Sequence, residues 1–197
     1  RRKGWTFRSG GESPTAPSAS ALMVTRDGGQ TWTEVTPDKN KGFAQKPYGR
    51  IAVNVAPSDS QRIYAFVESP QSALYVSDDG GATWEARDRS QWMVWRPFYF
   101  ARMTVDPNNA DRVFKDDGNL ILSEDGGRSF SVVGGFAPFM HGDIHDVWID
   151  PKNTRHVVSG DDGGLWQSHD GGNRWWKGDN LPISQFYHVS LDDQDPY

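Results

Sequence analysis

The apolar positions of this chain fall in short runs, each closed by a Pro or by a Gly pair. Ile51-Ala52-Val53-Asn54-Val55-Ala56 ends at Pro57 and, after a polar turn, is followed by Arg62-Ile63-Tyr64-Ala65-Phe66-Val67. The same arrangement returns as Arg102-Met103-Thr104-Val105-Asp106-Pro107 before Arg112-Val113-Phe114, and as Asp146-Val147-Trp148-Ile149-Asp150-Pro151 before His156-Val157-Val158. Runs of this length, rich in β-branched and aromatic residues and bounded by turn formers, predict strands. A third run enters an Asp-Gly-Gly string (Ala73-Leu74-Tyr75-Val76-Ser77) and a fourth leaves it (Thr83-Trp84-Glu85-Ala86). Each repeat thus predicts four strands, A to D.

The Asp-Gly-Gly string occurs four times, with a hydroxyl residue two positions before the Asp and an aromatic five after it. Its aspartates are Asp27, Asp79, Asp125 and Asp170, spaced 52, 46 and 45 residues apart. The prolines Pro57, Pro107, Pro151 and Pro196 are spaced 50, 44 and 45 apart, so a second ruler agrees. A period of roughly 40–50 residues with four strands per repeat is that of propeller blades. The predicted fold class is all-β, a propeller of four-stranded antiparallel blades. Asp-Gly-Gly joins strand C to strand D, because the carboxylate accepts turn amides and Gly adopts positive φ at no steric cost. The four aspartates therefore have structural roles, and the trailing aromatic packs on its own or a neighbouring blade.

Composition narrows the function classes. The 21 Gly and 12 Pro among 197 residues favour turns over long helices. A net charge of −5 argues against a nucleic-acid partner, since phosphate binding wants a basic face. No run approaches the eighteen or so apolar residues of a membrane helix. With no Cys there is neither a disulfide framework nor a thiolate metal site. No phosphate-cradling Gly loop of the P-loop type and no Gly-x-Ser-x-Gly elbow is present, and no cofactor is expected. The chain opens at Arg1 without a Met, so the natural amino terminus, with any signal peptide, is expected to lie upstream.

The four strings resemble Asp-box, or BNR, repeats, with Phe130 replacing Trp in the third and Arg174 replacing Thr in the fourth. Such boxes occur on β-propellers in sialidases, sortilin-type receptors and family 74 glycoside hydrolases. The whole chain is similar to bacterial "glycosyl hydrolase, BNR repeat" proteins with sortilin-like propellers. Residues 1–11, 141–151, 160–164 and 185–189 carry that resemblance. It implies a longer protein acting outside the cytoplasm, extracellular or periplasmic, with a polysaccharide or oligosaccharide as partner. On this reading residues 1–20 are a loop, 1–36 hold strands C and D of a first blade, and 50–88, 101–134 and 145–178 hold complete blades. Residues 187–197 then hold the first strand of a next blade. Such an open run leaves unpaired edges, to be met by the rest of the propeller or by a second copy closing an eight-bladed ring.

In a propeller the A–B and C–D turns share one face, and the B–C loops and inter-blade links share the other. The functional face is therefore expected opposite the boxes, lined by links 38–49, 88–101 and 134–145 and by loops 68–72, 116–119 and 161–164. His141-Gly142-Asp143-Ile144-His145-Asp146 places four ionisable side chains within six residues at the start of an inner strand. If extended, His141, Asp143 and His145 share one side and Asp146 takes the other. That alternation suits substrate contact, acid–base work or strand-end capping; a metal would need a further ligand such as His188 or Asp162, and none is assigned. Asp161 and Asp162 sit in the B–C loop of the same blade. The resemblance to family 74 enzymes matches Asp162-Gly163-Gly164 and Gly142-Asp143-Ile144 to their two catalytic-acid segments, implying Asp143 and Asp162 as a carboxylate pair. In those enzymes the two acids come from different propellers. Asp116-Asp117-Gly118 repeats the same turn chemistry one blade earlier.

The link carrying Trp92, Trp95, Arg96, Phe98, Tyr99 and Phe100 is unusually aromatic. Trp92, Trp95 and Tyr99 offer flat apolar surface for sugar faces, and Arg96 a fork for a hydroxyl or carboxylate; Phe98 and Phe100 are read as packing. Sialidase chemistry resembles an Arg triad with a Tyr nucleophile, and here only Arg50, Arg96 and Arg102 lie near the expected face. The sequence thus points to a glycoside hydrolase-like propeller binding or cleaving a polysaccharide. The alternative is a non-catalytic, sortilin-like propeller that holds a peptide or protein.

Overall fold

The computed structural model describes the backbone of residues 4–8 and residues 20–96, 99, 101–135 and 140–182. Four antiparallel sheets follow one another along the chain. The first contains β1 (Gly4–Arg8), β2 (Ala21–Thr25) and β3 (Thr33–Glu34), paired in that order. The second is β4 (Ile51–Ala56), β5 (Asp59–Val67), β6 (Ala73–Ser77) and β7 (Glu85–Asp88). A single turn of helix, α1 (Gln91–Val94), leads to the third, β8 (Met103–Val105), β9 (Val113–Asp116), β10 (Asn119–Ser123) and β11 (Ser131–Gly135). The fourth is β12 (Ile144–Ile149), β13 (Val157–Asp161), β14 (Gly164–Ser168) and β15 (Trp176–Lys177). Each strand pairs with its sequence neighbour, the up-and-down order of propeller blades.

One expectation is corrected. The loop assigned to residues 1–20 contains β1, which pairs with β2 from Gly4 opposite Thr25 to Arg8 opposite Ala21. The edge of β2 is thereby covered, and the first sheet has three strands. Residues 187–197, expected to start a further blade, lie outside the described residues, as do Phe98 and Phe100.

The central strands of the second and third sheets are buried on both faces because each of those sheets is sandwiched between two others. In β5, Ile63, Ala65 and Val67 face a cluster with Leu22, Phe43, Tyr48 and Trp84, toward the first sheet. Tyr64 and Phe66, on the opposite side, join Leu74, Val76, Met93, Met103 and Val113, toward the third. A third cluster, with Phe114, Leu120, Ile144, Val147 and Trp166, joins the third sheet to the fourth. Burying each such side chain contributes roughly 1.5–3 kcal/mol, and these clusters are the main glue between blades.

The boxes form as the residue pattern requires. Thr25, Ser77, Ser123 and Ser168 each donate a hydroxyl hydrogen bond to the box aspartate at 2.8–2.9 Å and accept the amide of the second Gly at 2.8 Å. Both glycines of every box lie at φ between 70° and 95°. In the fourth box the Arg174 amide still donates to Asp170 at 2.9 Å, but the hydroxyl donor of the other three is gone. The first Gly of each of the last three boxes also donates to the neighbouring A–B turn, Gly80 to Gln61, Gly126 to Asp111 and Gly171 to Arg155, at 2.8–2.9 Å. Box and A–B turn therefore share one end of each sheet, and the B–C loops stand at the other. Side chains then cross between blades: Arg62 to Asp111 and Arg87 to the Gly126 carbonyl at 2.6 Å each, and Arg112 to the Gly171 carbonyl.

The link 38–49, expected to line the opposite face, instead reaches a box and the core. Asn40 Nδ2 donates to the Gly81 carbonyl at 2.7 Å, Lys41 bridges Thr83, and Phe43, Ala44 and Tyr48 are buried. The apolar side chains of this link are drawn into the gap between the first two sheets.

Candidate functional site

At the ends of the sheets away from the boxes, β9 turns into β10 through Asp117-Gly118 and β13 into β14 through Asp162-Gly163. These are equivalent two-residue hairpin loops in successive blades. They close in opposite chemical states. Asp117 is buried and accepts a hydrogen bond from the fully buried Lys115 ammonium at 3.0 Å. Asp162 is 39% exposed, and its Oδ1 lies 2.6 Å from His145 Nε2. The carboxyls preceding the loops, Asp116 and Asp161, are equivalent too. Burial raises the pKa of both; Asp116 is pushed up to about 7, with Asp146 adding repulsion and Lys115 and Arg102 offsetting part of it. Neither Asp116 oxygen has a hydrogen-bond partner.

The extended alternation expected for His141, Asp143 and His145 does not occur. Asp143 lies in the left-handed region at φ 61°, which an Asp tolerates better than most residues, and β12 begins only at Ile144. The pairing of β12 with β13 then shifts register between Ile144 and Asp146, so His145 and Asp146 are both exposed while Ile144 is buried. The cause is anchorage to the preceding blade. The Asp143 amide donates to the Gly118 carbonyl at 3.2 Å and the Ile144 amide to the Asp117 carbonyl at 2.9 Å. His141 is exposed, its Nδ1 2.9 Å from the Gly142 carbonyl, and its Cβ closes over Gly163.

The aromatic link meets this cluster. Trp92 and Trp95 are 46% and 37% exposed, and with Gln91, Asp117, Gly118 and Asn119 they line a cleft of about 390 Å³. Arg96, at φ 41°, lays its guanidinium 5.4 Å from the centres of both the Trp95 and Tyr99 rings. Tyr99 in turn meets His145 edge-on at 6.0 Å. Beside it is a second cavity of about 270 Å³, lined by Arg50, Tyr99, Ala101, Arg102, Asp116, Ile144 and His145. The structure thus joins Trp95, Arg96, Tyr99, His145 and Asp162 into one strip with Trp92 at its end. Asp143 stands apart from the strip, at the β9–β10 hairpin. Among the described residues, no group of three or more His, Asp or Glu is arranged to hold a metal.

Sequence reasoning read Asp116 only as turn chemistry, noted Arg50 and Arg102 only as near the expected face, and missed Lys115. The signal was present. Asp116-Asp117-Gly118 matches Asp161-Asp162-Gly163 position for position, and Lys115 follows the apolar pair Val113-Phe114 in a central strand.

Solved structures of known proteins share the fold. The pattern defining the BNR/Asp-box repeat matches residues 23–34 and 75–86, and the same hydrogen bonds extend to the boxes of Asp125 and Asp170. The chain carries Asp-box repeats on a β-propeller. This propeller superposes on an ancestral GH74 enzyme with a TM-score of 0.55 at 19% identity, covering 79% of this chain and 21% of that one. For the GH74 xyloglucanase from Xanthomonas campestris the TM-score is 0.53 at 22% identity, covering 88% and 23%. In sequence it is 29% identical over 154 residues to the oligoxyloglucan-reducing end-specific xyloglucanase of Emericella nidulans, covering 68% of this chain and 18% of that protein. The chain spans less than a quarter of the length of each of these relatives.

The carboxyls of this Asp-box propeller give its stability opposing pH limits. Asp27 is lowered to about 2, first by the Thr31 hydroxyl and then by the Thr31 amide and Thr25. At Asp79 and Asp125 desolvation is the largest single influence and opposes ionisation, yet the hydroxyl and amide donors together outweigh it. A pKa depressed by folding contributes stability above the unfolded value near 4, lost as pH falls toward 2. Asp116 has the reverse sign. The folded protein binds more protons than the unfolded chain between about pH 4 and 7, so this group's contribution falls as pH rises through that window. Asp116→Asn is therefore expected to gain on the order of 3 kcal/mol more, relative to the parent, at pH 8 than at pH 5. Urea unfolding at both pH values checks this; an equal difference at the two would refute it.

Proposed function

We propose that this Asp-box propeller binds and cleaves a polysaccharide outside the cytoplasm, in the manner of a glycoside hydrolase. The observation that carries this reading is the continuous strip of Trp92, Trp95, Arg96, Tyr99, His145 and Asp162 opposite the boxes. Flat, half-exposed rings can stack on sugar faces, while Arg96, His145 and Asp162 offer hydroxyl partners at intervals along them. No helix among the described residues is long and apolar enough to cross a membrane. The similarity to an enzyme named for xyloglucan supports a glycan as the substrate. Hydrolysis would need one carboxyl to protonate the leaving oxygen and another, ionised, about 5–9.5 Å away. Asp143 and Asp162 are the pair assigned to those roles, with His145 orienting Asp162.

The test is release of reducing ends from a panel of plant and microbial polysaccharides, with Asp143→Ala and Asp162→Ala beside the parent. Activity in the parent and a loss of about 100-fold or more in each variant is expected. Unchanged activity in both would remove the site assignment, and none in the parent would remove catalysis. The exposure of Asp162 favours a second reading, because a proton-holding acid is usually buried. On that reading the same face holds a ligand without cleaving it, as in sortilin-type receptors. Retention of a polysaccharide without cleavage would select it.

A further inference from the structure

Beside the aromatic strip, the 270 Å³ cavity has a composition that neutral sugar does not call for. Two arginines, Arg50 and Arg102, stand at its wall together with the Tyr99 ring and His145, and Asp116 is buried at its side. Arg102 is 64% exposed; its Nη1 donates to the His145 carbonyl at 3.2 Å and lies 3.7 Å from Asp146. The negative groups nearby are largely committed. Asp146 faces Arg102, Asp117 holds the Lys115 ammonium, and Asp162 holds His145. Among the described residues, Asp116 alone has both carboxylate oxygens buried without a hydrogen-bond partner. A buried carboxyl with no donor aimed at it is poorly explained as a structural element, because a partner would lower the cost of its burial.

We propose that this cavity is a subsite for a carboxylate-bearing sugar, and that Asp116, in its protonated form, donates a hydrogen bond to the sugar carboxylate while Arg50 and Arg102 supply the countercharge. The inference rests on the polysaccharide reading above and narrows its substrate to an acidic glycan. Guanidinium groups match planar carboxylates in shape as well as charge. The Tyr99 ring provides the flat contact for the sugar body. No bond is made or broken in this step; the proton on Asp116 stays with it.

The sign of the pH dependence follows. Below about pH 7 Asp116 is neutral and is a donor; above it the ionised carboxylate repels the ligand. The other groups facing it are Arg50, Arg102 and Tyr99 from the links, His145 and Asp146 from β12, and Lys115 and Asp117 from its own strand and turn. His145 also faces the cavity, so the decisive variant is one that fixes Asp116 in a neutral form and leaves His145 intact.

The experiment is titration calorimetry of the protein with oligogalacturonate, with sialyllactose and with a neutral xyloglucan oligosaccharide of similar size, at pH 5.5 and 8. One of the two acidic ligands is expected to bind at least tenfold more tightly than the neutral one at pH 5.5, which also identifies the kind of acidic sugar. That preference should weaken about tenfold or more at pH 8 in the parent, and much less in Asp116→Asn. Arg102→Gln, a change at an exposed side chain, should abolish the preference without altering unfolding. If the neutral oligosaccharide binds as well as both acidic ones, the acidic-sugar subsite is wrong and the polysaccharide reading stands. Binding of none of the three overturns both. A pH dependence identical in parent and Asp116→Asn overturns the role of Asp116.

Discussion

Replacing Gly42 by Ala is expected to destabilise the protein by at least 4 kcal/mol, a large share of the 5–15 kcal/mol that holds a typical domain folded. Gly42 adopts φ 85°, and a Cβ there would stand 1.9 Å from the Trp84 carbonyl oxygen and 3.0 Å from its carbon. The obstacle is backbone, so no rotamer change relieves it. Moving the chain apart breaks the bond from the Trp84 amide to the Lys41 carbonyl, 2.8 Å, and loosens the Lys41–Thr83 bridge. Asn40, Phe43, Ala44 and Tyr48 would follow, and with them the seam between the first two sheets. Gly28→Ala is the control. It has a similar φ of 79° but open space around it, so only backbone strain of about 1–2 kcal/mol applies. Denaturant unfolding of the two variants decides the matter, and equal losses would show that the close approach at Trp84 is unimportant.

Asp117→Ala is expected to cost about 3–5 kcal/mol, because it leaves the ammonium of Lys115 buried beside a partner that is no longer there. Lys115 is fully buried, and its remaining contact is the Asp116 carbonyl at 3.3 Å. Burial dominates at both members of the pair: the pKa of Lys115 is lowered and that of Asp117 raised despite their mutual attraction. Desolvation thus outweighs the charge–charge gain, and the pair is not a source of net stability. Two consequences distinguish this account from simple loss of a contact. The double variant Lys115→Met with Asp117→Asn should recover most of the loss, since no charge is left unpaired. The deficit of Asp117→Ala should also shrink at alkaline pH, because a lysine whose pKa is lowered by folding makes the unfolded chain the greater proton binder, so stability rises with pH. Thermal unfolding of the parent and the two variants at pH 7 and 9.5 tests both, and a double variant as weak as the single would overturn the argument. The pair also matters to the site, since the Asp117 and Gly118 carbonyls anchor the start of β12 beside His145.

Much of the fold was legible because its signals are local. An Asp with a hydroxyl two residues before it and two Gly after it closes a hairpin wherever it stands, and four such strings in phase with four prolines specify sheets of one kind in one order. The aromatic link was recognisable for the same reason, since Trp92, Trp95, Arg96 and Tyr99 are close in sequence. Two readings failed where a residue's partner lay outside its own stretch of chain. His141, Asp143 and His145 were placed on one side by strand periodicity. The Gly118 and Asp117 carbonyls of the preceding blade instead hold Asp143 left-handed and shift the register beyond Ile144. The loop assigned to residues 1–20 proved to contain β1, whose pairing with β2 spans a long connection.

By itself, then, the sequence determined the blade: turn chemistry, strand pattern and repeat length act over a few residues and need no partner. Only the tertiary structure decided what surrounds each of its acids. Asp116, Asp117, Asp161 and Asp162 are the same residue type in the same two turn positions. One is buried without a partner, one is tied to a buried lysine, one is raised by burial and one is half exposed against a histidine. Desolvation and neighbouring charge set those differences, and packing decides both: Lys115 reaches Asp117 and His145 reaches Asp162 within one sheet, while Asp146 of the next sheet acts on Asp116.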